Sequence, residues 1–99
     1  MRFEWDKNKE NLRKHGISFE IAVRVFDDTF SIDRIQGARG DEERRETIGV
    51  AHRAVIVFVA YTSRDLEGEE LIRIISARRA DPYERRHYEE NLKNSKEAF

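Results

Sequence analysis

The stretch Arg73-Ile74-Ile75-Ser76-Ala77-Arg78-Arg79 combines three guanidinium groups with apolar side chains. It predicts a β-strand that leads into a helix, and residues two apart on a strand share one face. Arg73 and Arg79 are therefore predicted to point one way, while Ser76 and Arg78 point the other. Fixed positive charge beside buried isoleucine is costly unless an anion meets it. Because the arginine fork donates two parallel hydrogen bonds, phosphate is the anion this strand suits.

The spacing of apolar residues along the rest of the chain predicts one α+β domain over residues 1–99. This domain has an antiparallel sheet, two N-terminal helices on one face and a C-terminal helix. The other face is expected to be partly open. The predicted strands are Phe3–Trp5, Thr29–Ile35, Arg44–Val50, Arg53–Tyr61 and Glu70–Arg79. The predicted loops or turns are 36–41, 51–52 and 63–68.

Helix boundaries follow from capping residues. Asp6 is predicted to cap a helix that ends near His15, with Gly16 just beyond its end. Ser18 is predicted to cap a second helix through Phe26. The last helix begins at Pro82 and is expected to be capped by Asp81 together with Glu84 in a capping box.

Composition limits the possible functions. The formal net charge is −1, so no overall basic character draws the chain to nucleic acid. A local positive patch is still expected, because residues 73–86 hold five arginines against Asp81 and Glu84. There is no cysteine, and the three histidines are far apart in sequence, so no metal or other cofactor is predicted. No signal peptide or membrane-spanning run is visible, which predicts a cytoplasmic protein.

Several blocks of sequence resemble one known family, the BrnT toxins of type II toxin–antitoxin systems. The blocks cover the chain from Phe3 to about Tyr88. The residues that carry the resemblance are Phe3-Glu4-Trp5-Asp6, Asn11, Lys14-His15-Gly16-Ile17-Ser18-Phe19-Glu20, Ala22, Phe26-Asp27-Asp28, Glu43-Arg44, Ile48-Gly49, Arg73-Ile74-Ile75-Ser76-Ala77-Arg78-Arg79-Ala80, Glu84-Arg85 and Tyr88.

The resemblance implies a RelE-like fold and a ribonuclease activity that cleaves RNA and arrests translation. It also implies an antitoxin partner similar to BrnA, with a ribbon-helix-helix region that binds operator DNA for the pair. Because ribbon-helix-helix proteins are obligate dimers, a complex of two toxins and two antitoxins is expected.

Arginines are the first candidates for the site. RNA cleavage without a metal needs a base, an acid and positive charge for the phosphorane, and arginine suits only the last role. Arg78 is the first choice, followed by Arg44 and Arg73, with Arg79 weaker. The alternative for each is a surface ion pair, which for Arg78 would involve Asp81 or Glu84 and which contributes little to stability.

Three other residues are candidates for proton transfer. His15 has a suitable ordinary pKa, although a histidine at a helix C-terminus also interacts favourably with the helix dipole. Glu43 could act as a base if Arg44 and a second cation hold it. Tyr88 could donate a proton or stack on a base, or could simply pack in the core. Trp5 is expected to pack rather than to stack on RNA.

Two other classes of function remain open. The chain could be a non-catalytic module that docks an antitoxin or another protein, with its arginines paired to acidic residues of the partner. It could also bind DNA on its own, although no basic recognition helix is visible and the net charge is negative.

Overall fold

The computed structural model describes the backbone of residues 1–97 and the side chains of residues 1–95. Its elements are, in chain order, β1 (Arg2–Glu4), α1 (Asn8–His15), α2 (Phe19–Ala22), a 3₁₀ segment (Val23–Asp27), β2 (Ile32–Arg39), β3 (Glu42–His52), β4 (Val55–Leu66), β5 (Glu69–Arg79) and α3 (Pro82–Glu97).

The strands form a single sheet in the order β1-β5-β4-β3-β2. Strands β2 to β5 are joined as an antiparallel meander, whereas β1 pairs in parallel with β5. The α+β class and the mostly antiparallel sheet are thus confirmed, with β1 as the one parallel exception. A parallel pair needs a long crossover, and here the meander and the N-terminal helices together supply it.

The three hairpin turns are shorter than predicted. The chain reverses at Gly40-Asp41, at Arg53-Ala54 and at Glu67-Gly68, so most of the predicted loops 36–41 and 63–68 is strand. The predicted turn at 51–52 is wrong because β3 continues to His52. Arg53, Ala54, Glu67 and Gly68 all have positive φ, which is the backbone of two-residue hairpin turns matched to strand twist. The strand ends next to these turns are polar, so the sequence pattern did not show that they pair.

Most of the predicted helix caps are confirmed. Ser18 accepts a hydrogen bond from the Ile21 amide at 3.2 Å. Asp81 accepts one from the Glu84 amide at 2.7 Å, and the Asp81 amide donates to Glu84 at 2.9 Å, which completes the capping box. The prediction for Asp6 is wrong: Lys7 precedes α1 without a side-chain cap, and the Asp6 carboxylate instead forms an ion pair with Arg73.

The core lies between one face of the sheet and the N-terminal helices. Its largest fully buried side chains are Phe19, Val25, Val57, Val59, Ile72 and Ile74. Trp5 is only partly buried and packs edge-on against Phe19, with ring centroids 6.0 Å apart. The expectation that Trp5 packs is therefore confirmed. We call this covered side of the sheet the helix-bearing face.

The opposite side of the sheet, here called the open face, is largely uncovered. A bulge decides which residues of β5 reach it. Ser76 pairs with Ala60 and Ile74 pairs with Tyr61, so Ile75 is an extra residue in β5. The alternation of side chains shifts by one residue at this point. Arg73 and Arg78 consequently share the open face, which corrects the prediction that they point in opposite directions.

Candidate functional site

A shallow concavity of about 280 Å³ occupies the middle of the open face. Arg44 of β3 and Ile75 of the bulge lie on its rim. Both side chains are exposed to solvent. Because the bulge leaves Ile75 outside the ladder, its exposed side chain adds an apolar surface to the lining that also includes Arg44. The residues around it are Gln36, Arg44, Arg45, Glu46, Ala60, Tyr61 and Ile75. By strand alternation, the side chains of Arg45 and Tyr61 belong to the other face.

Of the two arginines that line this concavity, Arg44 remains available to a ligand, whereas Arg45 is paired with Asp33 and Glu43. Within residues 1–95, no carboxylate forms an ion pair with Arg44, whereas Arg34, Arg73 and Arg78 are each paired. Arg44 lies opposite Thr62 on β4, and Thr62 lies opposite Arg73 on β5. Two of the predicted arginines therefore occupy one row across the sheet.

Arg73 is already neutralised by carboxylates from the N-terminal strand and the residues after it. Its guanidinium contacts Glu4 at 3.3 Å and forms a closer ion pair with Asp6. The negative charge of Asp6, followed by the hydrogen bonds to Glu4 and Asp6, raises the pKa of Arg73 above its ordinary value. The alternative for Arg73, a partner carboxylate, is thus observed in the structure.

Arg78 is held by the last helix. Its two terminal nitrogens donate to the two oxygens of Glu84 at 2.7 and 3.0 Å, and its guanidinium lies 4.2 Å from the centre of the Phe58 ring. The hydrogen bonds to Glu84 raise the pKa of Arg78. Burial favours a higher pKa for Glu84, but Arg78 and the Asp81 amide outweigh it and hold that pKa below its ordinary value. This bidentate pair joins β5 to α3.

Glu46 is a carboxylate that the sequence analysis did not single out. It lies two residues after Arg44 on β3 and therefore shares the open face with it. One oxygen of Glu46, Oε1, accepts two hydrogen bonds from Arg34, at 2.7 and 2.9 Å. The other oxygen, Oε2, has no hydrogen-bond donor within residues 1–95. Because side chains two residues apart on a strand share a face, the position of Arg44 would have been enough to predict that Glu46 lies beside it.

His15 and Glu43 lie on the other side of the sheet from Arg44. His15 ends α1, which packs on the helix-bearing face. Glu43 precedes Arg44 on β3 and so points to the opposite face, where it accepts a hydrogen bond from Arg45 at 3.1 Å. The expectation that Arg44 could hold Glu43 as a base is therefore wrong on geometric grounds.

Arg45 belongs to a polar cluster on the helix-bearing face. It pairs with Asp33 at 2.5 Å, and the same carboxylate accepts the hydroxyl of Tyr61. Burial favours a lower pKa for Arg45, but its bonds to Asp33 and Glu43 outweigh this effect and raise the pKa. Each member is satisfied by another member, so the cluster supports the sheet rather than offering free groups to a ligand.

Tyr88 lies inside the protein, with 3% of its surface exposed. Its hydroxyl donates to Asp28 at 2.5 Å. Burial and this hydrogen bond both raise the pKa of Tyr88. Asp28 also binds the amide of Val50, which is six residues, roughly 20 Å, along β3 from Arg44. The structure therefore does not bring Tyr88 to the arginines, and its buried ring is not available for stacking.

A second cavity, of about 160 Å³, lies under the start of α3 on the open face. Its floor is formed by the apolar side chains of β2, β3 and β4, and Tyr83 and His87 of α3 line its side. The residues around it are Ile32, Arg34, Glu46, Ile48, Phe58, Asp81, Tyr83, Glu84 and His87. Glu46 is shared with the concavity around Arg44.

Two further findings concern possible ligands and location. Within the part of the chain that the structure describes, no group of three or more histidine or carboxylate side chains is arranged to hold a metal ion. None of the described helices is both long and apolar enough to cross a membrane.

The fold and the site together define a class: a small α+β protein whose sheet carries helices on one face and displays arginines and a carboxylate on the other. A family model described as "Ribonuclease toxin, BrnT, of type II toxin-antitoxin system" matches residues 3–84. The chain therefore belongs to the BrnT family of ribonuclease toxins, and the resemblance noted from the sequence is confirmed.

A solved structure supports the fold. The chain is similar to the ribonuclease toxin BrnT of Brucella abortus, with 23% sequence identity and a TM-score of 0.50. The match covers 82% of this chain and 97% of the Brucella chain. No curated protein matches the chain.

Proposed function

We propose that this ribonuclease toxin is a metal-independent endoribonuclease that cleaves RNA on the open face and thereby arrests translation. The observation that carries the proposal is Arg44, an exposed guanidinium beside a concavity and without an internal carboxylate partner among the described residues. A fixed cation at such a place stabilises the charge that develops on a phosphorane. Membership in a family of ribonuclease toxins supports the same reaction.

Glu46 is the general base in this proposal. It shares the open face and the concavity with Arg44, so one phosphodiester could contact both side chains. Arg34 binds Oε1 of Glu46 and leaves Oε2 to take a proton from a ribose 2′-hydroxyl. The 2′-oxygen then attacks phosphorus and the bond to the 5′-oxygen breaks, which gives a 2′,3′-cyclic phosphate. The leaving 5′-oxygen takes its proton from water at the open face. His15 and Glu43 are left out of the proposed site because they lie across the sheet, and Tyr88 because its hydroxyl is bound to Asp28.

Arg73 and Arg78 have a secondary role in the proposal. To contact a phosphate, each of them would first have to break its ion pair. Arg73 would separate from Glu4 and Asp6, and Arg78 would separate from Glu84. Breaking these pairs offsets part of the energy gained from the phosphate. They are therefore proposed to attract and position RNA, with Arg44 as the main contact to the reacting phosphate.

The test is RNA cleavage by purified protein and by cells that express it without an antitoxin. Arg44→Ala should lower the cleavage rate about 10²- to 10³-fold, the usual effect of removing one donor to a developing oxyanion. Arg44→Lys should restore only part of the rate, because lysine lacks the planar fork. Cleavage by the unmodified chain should persist in EDTA, and translation should stop when the chain is induced.

A control and a second variant make this test specific. Arg13→Ala removes an exposed arginine of α1, on the helix-bearing side, and should leave cleavage unchanged. Glu46→Gln should slow cleavage, because an amide cannot take the proton of the 2′-hydroxyl. A folded Arg44→Ala protein that cleaves RNA at the full rate would contradict the proposed site.

The alternative is a non-catalytic module that docks an antitoxin or another protein. The pairing of Arg73 and Arg78 with internal carboxylates counts against cleavage by these arginines, although it equally withdraws them from acidic residues of a partner. Absence of RNA cleavage by the purified, folded chain, combined with tight binding to the product of a neighbouring gene, would favour this alternative.

A toxin of a type II system has an antitoxin partner, and we propose that this partner is BrnA-like, with a ribbon-helix-helix region. Because such a region is an obligate dimer, the complex should contain two toxins and two antitoxins, and operator DNA should be bound only through the antitoxin. Light scattering on the co-purified complex measures this ratio. A 1:1 complex at micromolar concentration would contradict it.

A further inference from the structure

The cavity under α3 has the form of a slot for one flat apolar group. Its floor consists of Ile32, Ile48 and Phe58, which come from three adjacent strands and line up across the open face. Its volume of about 160 Å³ is well below the roughly 300–1,000 Å³ typical of sites for drug-sized ligands. A single ring system fits this space, whereas a folded peptide segment does not.

Aromatic side chains of α3 line the side of the slot. Tyr83 and His87 are one helical turn apart and lie on the same side of α3. Tyr83 is 73% exposed, although it stands next to an apolar floor. An exposed aromatic ring at the rim of an apolar slot is what base stacking by RNA-binding proteins requires.

The charges around the slot also suit a nucleotide. Arg34 lies at the rim near Glu46, and Arg78 lies over Phe58 at the other end. Both oxygens of Glu84 accept hydrogen bonds from Arg78, whereas Oε2 of Glu46 has no donor within residues 1–95. A carboxylate oxygen has two lone pairs, so Oε2 can accept an amino group at the edge of a base with one lone pair while the other faces the ribose 2′-hydroxyl.

The slot lies next to the concavity around Arg44. Glu46 lines both spaces, and Arg44 and Ile48 lie on either side of it along the open face of β3. A chain that places a phosphate at Arg44 would therefore place a neighbouring base over Ile48 and Phe58.

We propose that this slot is a nucleobase subsite, which takes the base next to the cleaved phosphodiester and prefers bases with an exocyclic amino group. The proposal rests on the proposed ribonuclease function and adds a source of sequence preference to it. Tyr83 stacks on the base, and Glu46 accepts the amino group. Cytosine, adenine and guanine meet this requirement, whereas uracil carries a carbonyl group in place of the cytosine amino group.

The experiment titrates the full chain with CMP, UMP, AMP, GMP and inorganic phosphate, followed by amide chemical shifts. All four nucleotides should shift the amides around the slot, and CMP should bind more tightly than UMP. Phosphate alone should shift only the region of Arg44. Tyr83→Ala should weaken CMP binding about tenfold, in the range of base–aromatic stacking, and should leave phosphate binding unchanged.

Two matched variants control for indirect effects. Tyr83→Phe keeps the ring and should retain CMP binding. Glu89→Ala removes an exposed side chain from a different side of α3 and should change nothing. Because Tyr83 is exposed, its replacement should leave the fold intact.

The outcomes separate this inference from the function on which it rests. If nucleotides bind no better than phosphate, or if Tyr83→Ala has no effect on CMP, the subsite is overturned even when the chain cleaves RNA. If Tyr83→Ala weakens the antitoxin complex and not CMP binding, the slot belongs to a protein partner and the inference is again overturned. If CMP binds as expected but RNA stays intact, the subsite stands and the proposed nuclease fails.

Discussion

Asn11 shows how a single buried polar residue can fix the position of a helix. Its side-chain amide donates to the carbonyl groups of Ile17 at 2.8 Å and Ala77 at 2.9 Å, and its oxygen accepts from the amide of Ala77 at 3.1 Å. Strand β1 pairs with only the first part of β5. Beyond β1, the side chain of Asn11 forms hydrogen bonds with the backbone amide and carbonyl of Ala77, which lie at the edge of β5. Buried backbone groups need such partners.

Replacement of Asn11 by alanine should lower the free energy of unfolding by about 2–4 kcal/mol, because three hydrogen bonds are lost and buried groups remain unsatisfied. Urea unfolding followed by circular dichroism measures this change. Asn94→Ala, an exposed position in α3, is the matched control and should change stability by less than about 0.5 kcal/mol. A loss below about 1 kcal/mol for Asn11→Ala would show that water replaces the side chain.

At the scale of elements, regular patterns in the sequence predicted more than irregular ones. Apolar periodicity located the second helix and the central strands, Gly16 located the end of α1, and the capping box at Asp81 and Glu84 located the start of α3. The bulge at Ile75 could not be predicted, because an extra residue leaves no mark on an apolar strand. That one residue decides whether Arg73 and Arg78 share a face.

The same contrast applies to the candidate site. Alternation along β3 is enough to place Arg44 on one face and Glu43 on the other, and it also places Glu46 beside Arg44. The partners of the arginines could not be predicted in this way. Glu4 reaches Arg73 through the parallel pairing of β1 and β5, a contact between residues far apart in sequence. Side-chain pairing across a sheet depends on register, which the sequence did not reveal.

At the scale of the whole molecule, Asp28 joins parts of the chain that are far apart in sequence. Its carboxylate accepts hydrogen bonds from the amides of Phe30 at 2.9 Å and Val50 at 2.8 Å, and from the Tyr88 hydroxyl of α3. Gly49 makes this approach possible, since a Cβ there would lie 3.1 Å from Asp28 Oδ2. Burial favours a higher pKa for Asp28, but the three donors outweigh it and the pKa is lowered.

This arrangement predicts a specific loss of stability in acid. The pKa of Asp28 is lower in the folded chain than its ordinary value of 3.8. The contribution of its carboxylate to the free energy of unfolding is therefore fully present above that pH. The contribution is lost as the pH falls through the folded-state pKa. Asp28→Asn should therefore lower the melting temperature at pH 7, and the difference from the unmodified chain should shrink as the pH falls below about 3.8.

Thermal unfolding from pH 7 to pH 2.5 measures this convergence, with Asp27→Asn as the control at an exposed neighbour. The control should follow the unmodified chain at every pH. Since Tyr88 connects Asp28 to α3, and α3 also forms the wall of the slot, Asp28→Asn should loosen the slot and weaken CMP binding at pH 7. A constant difference in melting temperature between Asp28→Asn and the unmodified chain at all pH values would show that the carboxylate charge does not hold α3 against the sheet.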